Sequence, residues 1–119
     1  MEFKYHNFII NITDFDAEYC NVRDALLAFM WEEHEESYKE YMARRRESFE
    51  AEDRFQREHY NSYYNVSFGM ECAEQDYYNR IHQECDWILE RWQERFNGED
   101  TDREEKAPRR RKNALAGRY

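Results

Sequence analysis

A chain of 119 residues that is 40% hydrophobic and 18% aromatic holds material for one modest core, while a charged share of 38% and a net charge of -9 call for solvated surfaces rather than a deep interior. No apolar run approaches the roughly 20 residues needed to cross a bilayer. Cys20, Cys72 and Cys85 are an odd number without framework spacing, and the opening MEFKYHN lacks the basic-then-apolar pattern of an export signal, so a reducing cytoplasm is expected, that of a host cell if the chain is viral.

Residues 2–12 (EFKYHNFIINI) are rich in Phe, Tyr and Ile and nearly alternate, which predicts a strand. A lone strand leaves backbone groups without partners, so it must find an edge: within itself by a turn at His6-Asn7, from 63–68 (YYNVSF), or from another chain. Pairing with 63–68 is expected. No glycine or proline precedes Gly69, so residues 14–62 permit one very long helix, with Gly69 marking the reversal into a second. Thr13 with Asp16 resembles an N-cap, and Phe15, Tyr19, Val22, Leu26 and Phe29 then recur at four and three residues on one face. Trp31, Tyr38, Met42, Phe49, Phe55 and Tyr63 extend a sparser stripe, interrupted by His34 and Arg45, whose long or amphipathic bodies can cover apolar neighbours. The second helix carries a cleaner stripe of Ala73, Tyr77, Ile81, Cys85, Ile88, Trp92 and Phe96, widened by Tyr78 and Leu89, and Gly98 is expected to end it.

These elements predict a mainly α fold over residues 1–98: a long antiparallel, coiled-coil-like helical hairpin with a short N-terminal β element. Residues 99–119 lack apolar periodicity and read as a flexible linker and basic tail. The tail is electrostatically opposed to the body. Residues 106–119 hold six basic side chains and no acidic one, whereas residues 1–105 hold 27 acidic against 12 basic. The body is therefore repelled by nucleic acid, and the tail, through Arg109, Arg110, Arg111 and Lys112, is attracted to it weakly and in a salt-sensitive way.

Glu33, Glu36 and Glu40 recur at three and four residues and share one side, with Glu47 further along. Since four residues advance about 6 Å along a helix, such carboxylates, mixed with Tyr38, Tyr41 and Tyr60, resemble the charge array of a nucleic-acid backbone. The competing reading is a self-stabilising solvated face: Glu35 with Lys39, Glu40 with Arg44, Glu50 with Arg54, Asp53 with Arg57 and Asp76 with Arg80 are all acid-first pairs four apart. Ten Tyr, eight Phe and three Trp exceed what a two-helix seam buries. Tyr60, Tyr63, Tyr64, Tyr77 and Tyr78 around the bend are therefore the expected contact surface.

Catalytic signatures are missing: there is no Gly-x-Ser-x-Gly turn, no phosphate-cradling glycine loop, no cysteine beside a histidine base and no Glu-x-x-His pair. His82 and Cys85 have zinc-compatible spacing, but no close cysteine pair completes a set, so neither metal nor cofactor is expected and Cys85 reads as core. The expected function is that of a non-enzymatic acidic binding protein whose partner is a larger protein with a basic, nucleic-acid-binding surface, occluded by a nucleic-acid mimic. By compositional analogy alone, viruses and mobile elements use such small acidic proteins against restriction and CRISPR nucleases. The alternative is a dimeric coiled-coil adaptor or regulator that touches nucleic acid or another subunit through its tail.

Overall fold

The computed structural model describes residues 1–100. The expected linker and tail beyond them, with Arg109, Arg110, Arg111 and Lys112, lie outside the described residues. The described chain is mainly helical: strands β1 (Glu2–Tyr5) and β2 (Phe8–Asn11) are followed by helices α1 (Phe15–Glu33), α2 (Glu35–His59) and α3 (Val66–Asp100).

The strands pair with each other. β1 and β2 form an antiparallel hairpin with Phe3 opposite Ile10 and Tyr5 opposite Phe8, turned by His6 in the left-handed region (φ 54°). This overturns the expected pairing with 63–68, because Tyr63, Tyr64 and Asn65 lie in the α2–α3 connection and Val66 already opens α3. A two-residue turn closes the smallest loop and so loses the least chain entropy. One further rung clamps the open end: the Ile12 N–H donates to the Met1 carbonyl at 2.8 Å, and the Met1 ammonium donates to the Ile12 carbonyl at 2.9 Å.

The cap of α1 is Asp14 rather than Thr13. Asp14 Oδ1 accepts from the Ala17 N–H (3.2 Å), while the Glu18 carboxylate reaches back to accept from the N–H groups of Thr13 (2.9 Å) and Asp14 (2.8 Å). The single helix expected over 14–62 is divided at His34, whose φ of -92° and ψ of 1° leave the helical well. Neither glycine nor proline stands there. The break coincides with a tertiary anchor, since His34 Nδ1 lies 2.9 Å from the Tyr77 hydroxyl and the two rings meet edge to face.

Glycine does not perform either task expected of it. The chain reverses over residues 60–65, where Asn61 takes the left-handed conformation (φ 49°) and Asn65 Oδ1 caps α3 by accepting from the Phe68 N–H at 3.0 Å. Gly69 and Gly98 both lie inside α3. In a helix, glycine costs about 1 kcal/mol relative to alanine and does not by itself stop propagation. Gly69 has a packing role instead: a Cβ there would sit 2.9 Å from Phe49 Cδ2 and 3.0 Å from the Tyr64 hydroxyl, so its absence lets α2 approach α3 closely.

The chain falls into two compact units, and α1 and α3 contribute to both. In the first, Met1–Val22 with α3 from Trp87 onward, Phe3 is fully buried with its ring 6.1 Å from Phe15 and 5.4 Å from Trp92. The start of α1 runs antiparallel to the end of α3, as shown by Phe15 against Phe96 and by Gln93 Nε2 donating to Asp16 Oδ1 at 3.0 Å. In the second unit, Arg23–Asp86, the core is Leu26, Met30, Phe49, Ala73, Tyr77, Ile81 and Cys85. There α2 runs antiparallel to α3, with Tyr38 and Tyr41 on Tyr77 and Phe49 on Gly69. The α3 stripe is buried from Ala73 to Trp92 at the spacing the sequence predicts, whereas α2 buries Phe49 alone.

Replacing Gly69 with alanine gains helix propensity but drives a methyl into Phe49, and overpacking of this kind costs about 1–3 kcal/mol. Gly69→Ala is expected to lower the urea midpoint. Gly98→Ala, which meets nothing within 4 Å, is expected to leave it unchanged or raise stability by up to about 0.5 kcal/mol. Equal shifts in the two variants would refute the packing role of Gly69.

Candidate functional site

The acidic residues singled out in the sequence are all exposed: Glu33 in the last turn of α1, and Glu36, Glu40 and Glu47 on α2. They are not a uniform anionic stripe. Helix α2 holds eight acidic and six basic residues, and Lys39 Nζ lies 3.4 Å from Glu35 and 3.9 Å from Glu36. Of the expected acid-first pairs, Glu35–Lys39 and Asp53–Arg57 (2.9 Å) form, while Glu50 meets Arg46 at 3.9 Å rather than Arg54. Arg80 lies over the rings of Tyr41 and Tyr77, each at 5.6 Å, and Arg45 over Phe49 at 4.7 Å. Helix α3 is far more acidic, with nine acidic residues against three basic.

The tyrosines separate into two groups. Tyr60, Tyr63 and Tyr78 stand on the surface, 65%, 66% and 47% exposed. Tyr41 and Tyr64 are half-buried and structural: Tyr41 packs on Tyr77, and Tyr64 stacks on Phe49 with ring centroids 5.3 Å apart. Tyr77, expected at the contact surface, is buried. The Tyr64 N–H also donates to Asp53 Oδ1 at 2.9 Å, and this bond, followed by the Arg57 guanidinium, holds the Asp53 carboxyl below its ordinary range. Phe55 and Phe68 are exposed on either side of the same connection, and Phe55 carries Tyr60 edge to face at 5.7 Å.

Where α1 gives way to α2, residues of three helices line one groove of about 470 Å³. Its aromatic wall is Trp31 from α1, Tyr38 from α2 and Tyr78 from α3, and its acidic lining is Glu32, Glu35 and Glu74. Trp31 lies 5.7 Å from Tyr38 and 5.6 Å from Tyr78, centroid to centroid. The Tyr38 hydroxyl donates to Glu74 at 3.1 Å. Burial, reinforced by that carboxylate, pushes the Tyr38 phenol up. Trp31 and Glu74 are absent from the sequence-derived site. The spacing of Trp31, Glu35 and Tyr38 at four and three residues carried the signal, but Glu74 and Tyr78 join them only through the tertiary fold.

Among the described residues, no group of three His, Cys, Asp or Glu side chains is placed to hold a metal ion. His82 stacks on Tyr78 at 4.3 Å, and Cys85 is fully buried, its thiol pushed up to about 11 by desolvation and then by Asp86. Cys20 and Cys72 are exposed. No described helix is long and apolar enough to cross a membrane.

Two measurements check this division of roles. Tyr63→Ala is expected to change stability by less than about 0.5 kcal/mol, and Tyr64→Ala to lower it by about 2 kcal/mol through the loss of the Phe49 stack, both read from denaturant melts. Because the Asp53 pKa is depressed on folding, its contribution is present above the unfolded value of about 4 and is lost as pH falls through the folded value. Asp53→Asn should therefore flatten the acid limb of a pH-dependent melting curve, and an unchanged limb would refute the role given to the Tyr64 N–H. Comparison of the chain with protein-family models, curated proteins and solved structures finds no match.

Proposed function

We propose that this is a non-enzymatic acidic binding protein that occludes a basic surface of a nucleic-acid-handling protein. The observation that carries the reading is the charge of the body, 27 acidic against 12 basic residues over 1–105, together with exposed carboxylates at Glu33, Glu36, Glu40 and Glu47. Opposed charge steers encounter and fixes register, and exposed Tyr60, Tyr63 and Tyr78 add apolar area with a polar tip, the composition favoured at interface centres. A partner covered in this way loses access to its nucleic acid by steric exclusion. Restriction and CRISPR nucleases are the class to test first, on the compositional analogy drawn from the sequence.

A dimeric adaptor is the second reading. Its support is apolar: Phe55 and Phe68, 45% and 61% exposed, flank the α2–α3 connection, where a second copy could cover them.

Affinity capture from native lysate with the full chain, followed by mass spectrometry, is expected to recover a protein whose nucleic-acid binding the purified chain then inhibits. Joint replacement of Glu33, Glu36 and Glu40 by Lys should abolish inhibition, and replacing Arg109, Arg110 and Arg111 by Gln should leave it largely intact. The opposite pattern, or recovery of nucleic acid alone, would overturn the proposal. Doubling of the solution mass on concentration, lost in Phe55→Ser with Phe68→Ser, would support the adaptor.

A further inference from the structure

The groove at the α1–α2 break combines two features. Aromatic faces attract cations through the ring quadrupole, and acidic residues in the same lining add charge and hydrogen-bond acceptors. Trp31, Tyr38 and Tyr78 supply the first, and Glu32, Glu35 and Glu74 the second. Among the described residues, no Lys or Arg lines the groove. Lys39 engages Glu35 from outside it at 3.4 Å, and the Tyr38 hydroxyl engages one oxygen of Glu74 at 3.1 Å. The lining comes from three helices within one compact unit, so the site is built by the fold and not by a run of acidic residues on one helix face.

We infer that this groove is an anchor pocket for an arginine side chain of the partner protein, its guanidinium lying on the Trp31 and Tyr78 rings and bonded to the lining carboxylates. Charge complementarity selects a cation, and the aromatic wall selects arginine over lysine. A guanidinium is planar and weakly hydrated and stacks on a ring while its N–H groups fork towards an acid, whereas an ammonium is a compact, strongly hydrated point charge. The inference rests on the reading of the protein as a binder of basic surfaces and specifies what that surface must present. It also relocates the expected hot spot, from the α2 stripe to the junction of three helices.

The test uses the full chain and a short, terminally blocked peptide with one arginine among uncharged residues, beside versions bearing lysine or citrulline. Titration followed by the indole N–H resonances is expected to shift the Trp31 signal saturably with arginine and at least about 5-fold more weakly with lysine, with no saturable shift for citrulline, which keeps the shape and loses the charge. Tyr78→Ala and Glu74→Gln should each weaken arginine binding severalfold with the thermal midpoint held near wild type. Equal binding of citrulline, or shifts spread over all acidic residues without saturation at Trp31, would overturn the pocket. Arginine binding that appears only when Arg109, Arg110 and Arg111 are changed to Gln would overturn the partner assignment in favour of the chain's own tail.

The pocket and the broader reading fail separately. If a captured basic partner binds Tyr78→Ala as tightly as wild type, rather than about 30-fold or more weakly as an anchor requires, the anchor role of the groove is refuted while occlusion stands. If the peptide binds as expected but no captured protein has its nucleic-acid binding inhibited by the chain, occlusion is refuted while the groove's preference for arginine stands.

Discussion

The second unit depends on the burial of one phenol. The Tyr77 ring on α3 meets Trp31 from α1, His34 at the break and Tyr38 and Tyr41 from α2, at centroid distances between 5.2 and 6.2 Å. Its hydroxyl is also bonded to His34 Nδ1. A leucine could replace much of the apolar area but would leave that ring nitrogen without its partner, and a half-satisfied polar group in an aromatic cluster costs more than one never placed there. The ring and hydroxyl are thus held from several sides beside His34, the residue whose backbone leaves the helical well between α1 and α2. The groove at the junction shares Trp31 and Tyr38 with this cluster.

The division of labour among the helices follows from composition. Helix α3 has a continuous apolar stripe and supplies buried side chains to both units, so its carboxylates from Glu71 to Glu94 stand on the remaining faces. Helix α2 buries Phe49 alone and is sustained by its ion pairs and by arginines lying over aromatic rings. Exposed pairs of this kind are individually weak, and helicity in α2 rests mainly on the Tyr77 cluster at one end and the Phe49–Gly69 approach at the other.

Periodicity made most of this fold legible. The α3 stripe from Ala73 to Trp92 and the α1 positions Phe15, Val22 and Leu26 are buried where spacing placed them, because a regular helix converts sequence distance directly into a face. Punctuation was the weaker guide. Gly69 and Gly98 stop nothing, while a break falls at His34 and a reversal at Asn61, since these are decided by tertiary bonds and by asparagine's tolerance of positive φ. The hairpin partner of the N-terminal strand is not legible from pattern alone, because a short turn at His6-Asn7 competes with a distant segment that the fold places in the α2–α3 connection and the start of α3. Of the acidic site residues, sequence could establish exposure. It could not bring Glu74 and Tyr78 beside Trp31, because that juxtaposition exists only when α3 packs on both other helices.

The state of Cys85 has a practical consequence. A thiol with no solvent contact and a strongly disfavoured anionic form does not meet alkylating reagents while the helices are closed, whereas Cys20 and Cys72 are open to them. Modification of the third sulfur can therefore proceed only as fast as α3 parts from its neighbours, which gives the protein an internal clock for its own opening.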